Sequence, residues 1–99
     1  MATSTITSVN KQIEDRVHAF KNGYLNNNAT VSFSLDPVHE VWFLWRSFQP
    51  NLIKVNRTGV VEVAFGNANN VTVTASNDVV TIQNTVGWGV PYIAFISGA

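Results

Sequence analysis

From Val31 onward, apolar residues recur at every second position, and the runs they form are cut at short intervals by Asn, Gly and Pro. A period of two with frequent turn residues is the pattern of short strands joined by tight connections. Val31, Phe33 and Leu35 alternate with Ser32 and Ser34, giving a strand with one wet face that Asp36-Pro37 stops. Glu40 to Phe48 is apolar on both faces, which suits a central strand covered on both sides or one whose second face meets another subunit. Gln49-Pro50-Asn51 turns the chain, Leu52 to Val55 is a short strand, and Arg57-Thr58-Gly59 turns it again. Val60 to Phe65, Asn70 to Ala75 and Asp78 to Gln83 follow, separated by Gly66-Asn67-Ala68-Asn69 and by Ser76-Asn77. Connections that short imply antiparallel neighbours. Val90 to Ile96 is the last strand, and Pro91 places it at an edge or marks its beginning.

The opening of the chain follows another period. Ile13, Val17, Phe20 and Tyr24 lie at spacings of four, three and four, so a short helix is expected from Asn10 to Leu25, with Asn10 as N-cap and Gly23 at the C-cap. A strand from Arg16 to Lys21 competes with it, because Val-His-Ala-Phe alternates on its own. With no second helix available for a crossover, the expectation is a single, mainly β domain over residues 1–99. Its architecture is an antiparallel β-sandwich or small barrel of about seven strands with one N-terminal helix.

Charge narrows the partners. Asp, Glu, Lys and Arg make up 12% of the chain, where about a quarter is usual, and from Thr58 to Ala99 only Glu62 and Asp78 are charged. So much uncharged sheet exceeds what a small domain hides, and a homodimer or higher homo-oligomer is expected, with part of Val41 to Phe48 or Val90 to Ile96 in the interface. Six basic and six acidic residues cancel, so no footprint for nucleic acid exists. The chain has no Cys, which excludes disulfides and thiolate chemistry. The Thr- and Ser-rich N-terminus lacks the basic and apolar regions of a signal peptide, so a cytoplasmic location, or release without a classical signal, is expected. Val79 to Ala99 is long enough to span a bilayer, but Gln83, Asn84, Gly87, Gly89 and Pro91 interrupt any helix there.

Catalytic patterns are missing. His18 and His39 stand far apart, outside any metal-binding spacing, and the glycines form no phosphate loop, so neither an enzyme nor a cofactor or metal is expected. Glycosylation sequons begin at Asn28, Asn56 and Asn70, close to the roughly two that an Asn-rich chain contains by composition alone.

Aromatic residues beside amide-rich turns are the stronger functional signal. Indole faces stack on the apolar C–H surface of sugar rings, and Asn amides match vicinal hydroxyls with a donor and an acceptor. Trp88 sits between two glycines in the loop after Asn84, Asn67 and Asn69 occupy another turn, and Tyr92 begins the last strand. Trp88, Asn67, Asn69, Asn84 and Tyr92 therefore form the expected ligand-binding set. Trp42 and Trp45 point to opposite faces of their strand, so at least one belongs to the core. In architecture and composition from Asn28 to Gly98 the chain resembles the small cysteine-free β-sandwich lectins of fungi and slime moulds, although the galectin pattern H-x-N-x-R is absent. The resemblance implies glycans as partners, bound multivalently on cell surfaces by a homo-oligomer. A self-assembling structural subunit and a membrane-active protein inserting the loop around Trp88 are the alternatives, since each uses the uncharged C-terminal region directly.

Overall fold

A computed structural model describes residues 17–36 and 38–98 as eight strands: β1 (Val17–Leu25), β2 (Thr30–Ser34), β3 (His39–Arg46), β4 (Pro50–Asn56), β5 (Val61–Phe65), β6 (Val71–Ser76), β7 (Val79–Asn84) and β8 (Val90–Gly98). They form two antiparallel sheets, one ordered β1-β8-β3-β4-β5 and the other β2-β7-β6. The seven strands read from the alternation after Asn28 are all present, with ends shifted by a residue or two.

The expected helix is corrected at its C-terminal half. Val17–Leu25 is a strand that pairs with β8 from Val17↔Ser97 to Leu25↔Val90, so Gly23 is a strand residue opposite Tyr92 instead of a helix cap. The rest of that expectation, residues 10–16, lies outside the described residues. Pairing with β8 engages one side of the β1 backbone and Leu25 is buried, and this tertiary gain overrides a four-residue helical spacing.

One apolar core joins the two sheets. Phe33, Val80 and Ile82 of the smaller sheet cluster with Val41, Phe43, Trp45, Ile53, Val55 and Ala94 of the larger one. Alternation decides which β3 residues enter it: Val41, Phe43 and Trp45 are buried while Trp42 and Leu44 face the other way, half-exposed. Trp45 is thus the core tryptophan, packed against Phe43 at 5.4 Å between ring centroids, and its Nε1 has no hydrogen-bond partner among the described residues. On the outer face Trp42 stacks on Phe95 at 6.1 Å, donates from Nε1 to Ser97 Oγ at 3.0 Å and lies beneath the Lys54 ammonium. Lys54 in turn pairs with Glu62 at 2.9 Å and with Glu40 at 3.6 Å.

The turns use the conformations their residues favour. Asn77 and Asp78 both have positive φ, as a two-residue hairpin loop requires, and Asp78 also accepts a 2.9 Å bond from Arg57. Gly66 at φ +76 passes so close to Asn51 and the Pro50 carbonyl that a Cβ there has no room.

Candidate functional site

Four connections meet at one end of the molecule: the segments 26–29, 47–49, 66–70 and 85–89. Their backbones are tied together by amide side chains. Asn51, fully buried, donates to Ser47 Oγ at 3.0 Å and to the Gln49 carbonyl at 2.8 Å, and accepts from Asn67 N at 3.0 Å. Asn70 reaches the same Ser47 Oγ at 3.4 Å, and its carbonyl accepts from Thr85 N. Asn27 Oδ1 accepts from Gly87 N at 3.1 Å. Asparagine suits this work because one short side chain supplies a donor and an acceptor in fixed geometry.

The frame holds two aromatic rings out of the fold. Phe48 is 73% exposed and Trp88 46%, and they meet edge to face at 5.0 Å and 87°. Exposing both rings in this way leaves apolar faces available to a ligand, with Gly87 and Gly89 adding no covering side chain. Tyr24, 65% exposed, lies against Gly89 and extends the aromatic surface. None of the four connections carries a charge; Arg46, just before Ser47, is the nearest in sequence.

Of the five residues expected to bind ligand, the structure separates two from the rest. Asn84 is fully buried: it donates to the Leu25 carbonyl at 3.0 Å and to the Trp88 carbonyl at 2.7 Å, and accepts from Val86 N at 2.9 Å. With its amide satisfied inside the fold it positions the Trp88 loop and has no surface to offer a ligand, so its assignment as a contact is corrected. Tyr92 is 7% exposed and stacks on Phe43 at 5.3 Å, which makes it core and corrects its assignment too. Trp88 and Asn69 are exposed, whereas Asn67 is half-buried and turns its Oδ1 onto Asn69 N at 3.0 Å. Phe48 was hidden in the sequence because it continues the apolar run of β3; only the end of that strand at Arg46 releases it into a loop.

Elsewhere, His39 Nδ1 lies 3.3 Å from Asp36, and among the described residues no three His, Asp or Glu side chains converge. No helix of the described residues is long and apolar enough to cross a membrane. Comparison with protein-family models, with curated proteins and with solved structures finds no match.

Proposed function

We propose that this is a non-enzymatic binding module of β-sandwich architecture that engages glycans through its aromatic tip and acts as a homo-oligomer. The observation that carries the reading is the Phe48–Trp88 pair, two exposed rings at right angles on a loop frame fixed by buried amides. A stacking platform works when it is already in place before the ligand arrives, and the Asn84 bond to the Trp88 carbonyl supplies that preorganisation. Asn69 is the exposed amide of the neighbouring loop. Several weak sites on one rigid oligomer gain affinity for a glycan-covered surface through effective concentration.

A glycan array probed with wild type, Trp88→Ala and Phe48→Ala tests the reading. Binding should disappear in both variants while the circular dichroism spectrum stays unchanged. A blank array for wild type sinks the glycan assignment, and liposome co-sedimentation by wild type in the absence of sugar gives the tip to lipid instead.

A second reading, a self-assembling subunit, is favoured by the outer face of the larger sheet. Leu44, Pro50, Pro91 and Ile93 line a shallow apolar groove of about 250 Å³ there, and Ile93 is 40% exposed. Assembly that continues past a closed oligomer as concentration rises, together with a blank glycan array, distinguishes it from the first.

A further inference from the structure

The smaller sheet is two strands narrower than the sheet it faces, and its β2 edge opens on a groove. The two-residue turn between β6 and β7 makes Ser76 and Val79 a hydrogen-bonded pair, and alternation along an antiparallel ladder then fixes the direction of every main-chain group. Even-numbered residues of β7 bond to β2, a phase matched beyond the strand ends by Leu35 N donating to the Asp78 carbonyl and Asn84 N to the Ala29 carbonyl. Val31 and Phe33 thus spend their N–H and C=O groups on β7. Those of Thr30, Ser32 and Ser34 face the sheet edge, where no strand of the described residues pairs with them.

That edge borders a groove of about 260 Å³ bounded by Ser32, Ser34, Ala94 and Ile96, with Lys21 of β1 beside it. Lys21 pairs in register with the buried Ala94, so it stands on the inward face of β1, exposed in the step where β1 projects past β2. It has no ion-pair partner among the described residues. The edges of the larger sheet are guarded in the usual ways, β1 by a bulge near Val17 and β5 by a register shift and Glu62. Strand β2, like β6 at the other edge of the same sheet, has an unbroken register and neither charge nor proline, and β2 is the strand that borders the groove beside Lys21.

We propose that the free edge of β2 takes up an extended segment of a partner polypeptide as a fourth strand of the smaller sheet, with an inward-facing carboxylate of that segment paired to Lys21. Main-chain groups of Thr30, Ser32 and Ser34 supply the affinity, as in strand addition generally, and Lys21 supplies the choice of sequence. The same lysine disfavours a segment carrying Lys or Arg at the facing position, so attraction and rejection come from one side chain. This site is separate from the aromatic tip, and its fate does not depend on the glycan reading.

The test uses the ¹⁵N-labelled full chain and an acetylated, amidated peptide of alternating Thr and Val with a central Glu, beside the same peptide with a central Lys. With the Glu peptide, the Ser32 and Ser34 amides should shift and exchange with solvent about tenfold more slowly, while amides of β6 stay unchanged. The Lys peptide should bind more weakly, and Lys21→Glu, an exposed site, should reverse the preference. The proposal is overturned if millimolar Glu peptide leaves those amides unaffected. It is overturned equally if they are already protected in peptide-free protein, or if Lys21→Glu binds the two peptides in the original order.

Discussion

Asn84 and Trp88 stand four residues apart in a loop that sequence alone reads as one ligand-binding patch, yet one is sealed in and the other held out. A turn-rich stretch announces that its Asn residues tolerate tight backbone geometry; it does not announce whether the amide points inward to bind main chain or outward to meet solvent. Burial follows from strand phase: Asn84 ends β7 two positions after the buried Ile82, on the same inward face. Removing its amide leaves the Leu25 and Trp88 carbonyls and the Val86 N–H without their partner, so Asn84→Ala should cost about 1–3 kcal/mol, seen as a lowered thermal midpoint. Asn69→Ala, on the exposed side of its loop, should stay within about 0.5 kcal/mol of wild type in the same melt. Equal destabilisation by the two changes would contradict the division of roles between frame and surface. The aromatic residues divide the same way. Trp45→Ala should unfold or nearly unfold the domain, losing about 3–5 kcal/mol, while Trp88→Ala leaves the melt close to wild type.

At the scale of elements, the period of two located seven strands because alternation survives wherever one face is buried, as in Val31, Phe33 and Val80, Ile82. It failed at β1 because Lys21, Asn22, Gly23 and Tyr24 are all exposed, so that from residue 21 to 25 only Leu25 reports a buried face. The accidental spacing of Val17, Phe20 and Tyr24 then outweighed the local alternation. Loops show the same dependence on what surrounds them. Gly66 and Gly87 both have positive φ, but an added Cβ at Gly66 meets Asn51 and the Pro50 carbonyl, whereas at Gly87 it meets nothing within 4 Å. Gly87→Ala should cost about 1 kcal/mol from the backbone alone, and Gly66→Ala clearly more in a parallel denaturant titration, because the Asn51 hub must shift as well. On the outer face of the larger sheet, the Glu62 hydrogen bond, with help from Glu40, raises the Lys54 pKa above its ordinary 10.5 despite an opposing desolvation effect. A raised folded-state pKa stabilises the fold fully below 10.5 and ceases to do so as pH climbs through the raised value. The melting difference between wild type and Glu62→Gln should therefore be steady at neutral pH and shrink in strongly alkaline buffer; a difference that grows there contradicts the assignment.

For the molecule as a whole, the deficit of charge visible in the sequence becomes a location. Trp42, Leu44, Ile93 and Phe95 share the outer face of the five-stranded sheet, where the Lys54 cluster with Glu40 and Glu62 is the main polar interruption. A face of that composition on a domain of this size gains by contact with its own copy, since a two-fold axis sets the apolar strip of one protomer on that of the next. The expected mass by light scattering at high micromolar concentration is therefore at least twice the 10.9 kDa of the chain. Ile93→Lys, at a site already 40% exposed, places a charge in the centre of the strip without touching the core, and should give a monomer with an unchanged circular dichroism spectrum. Thr72→Lys, on the exposed side of the smaller sheet, supplies the control for added charge and should leave the mass of the oligomer intact. If wild type is monomeric across that concentration range, the expectation that this face meets a second copy is overturned. The multivalent part of the glycan reading then goes with it, while single-site binding at Phe48 and Trp88 is left to be judged on the array alone.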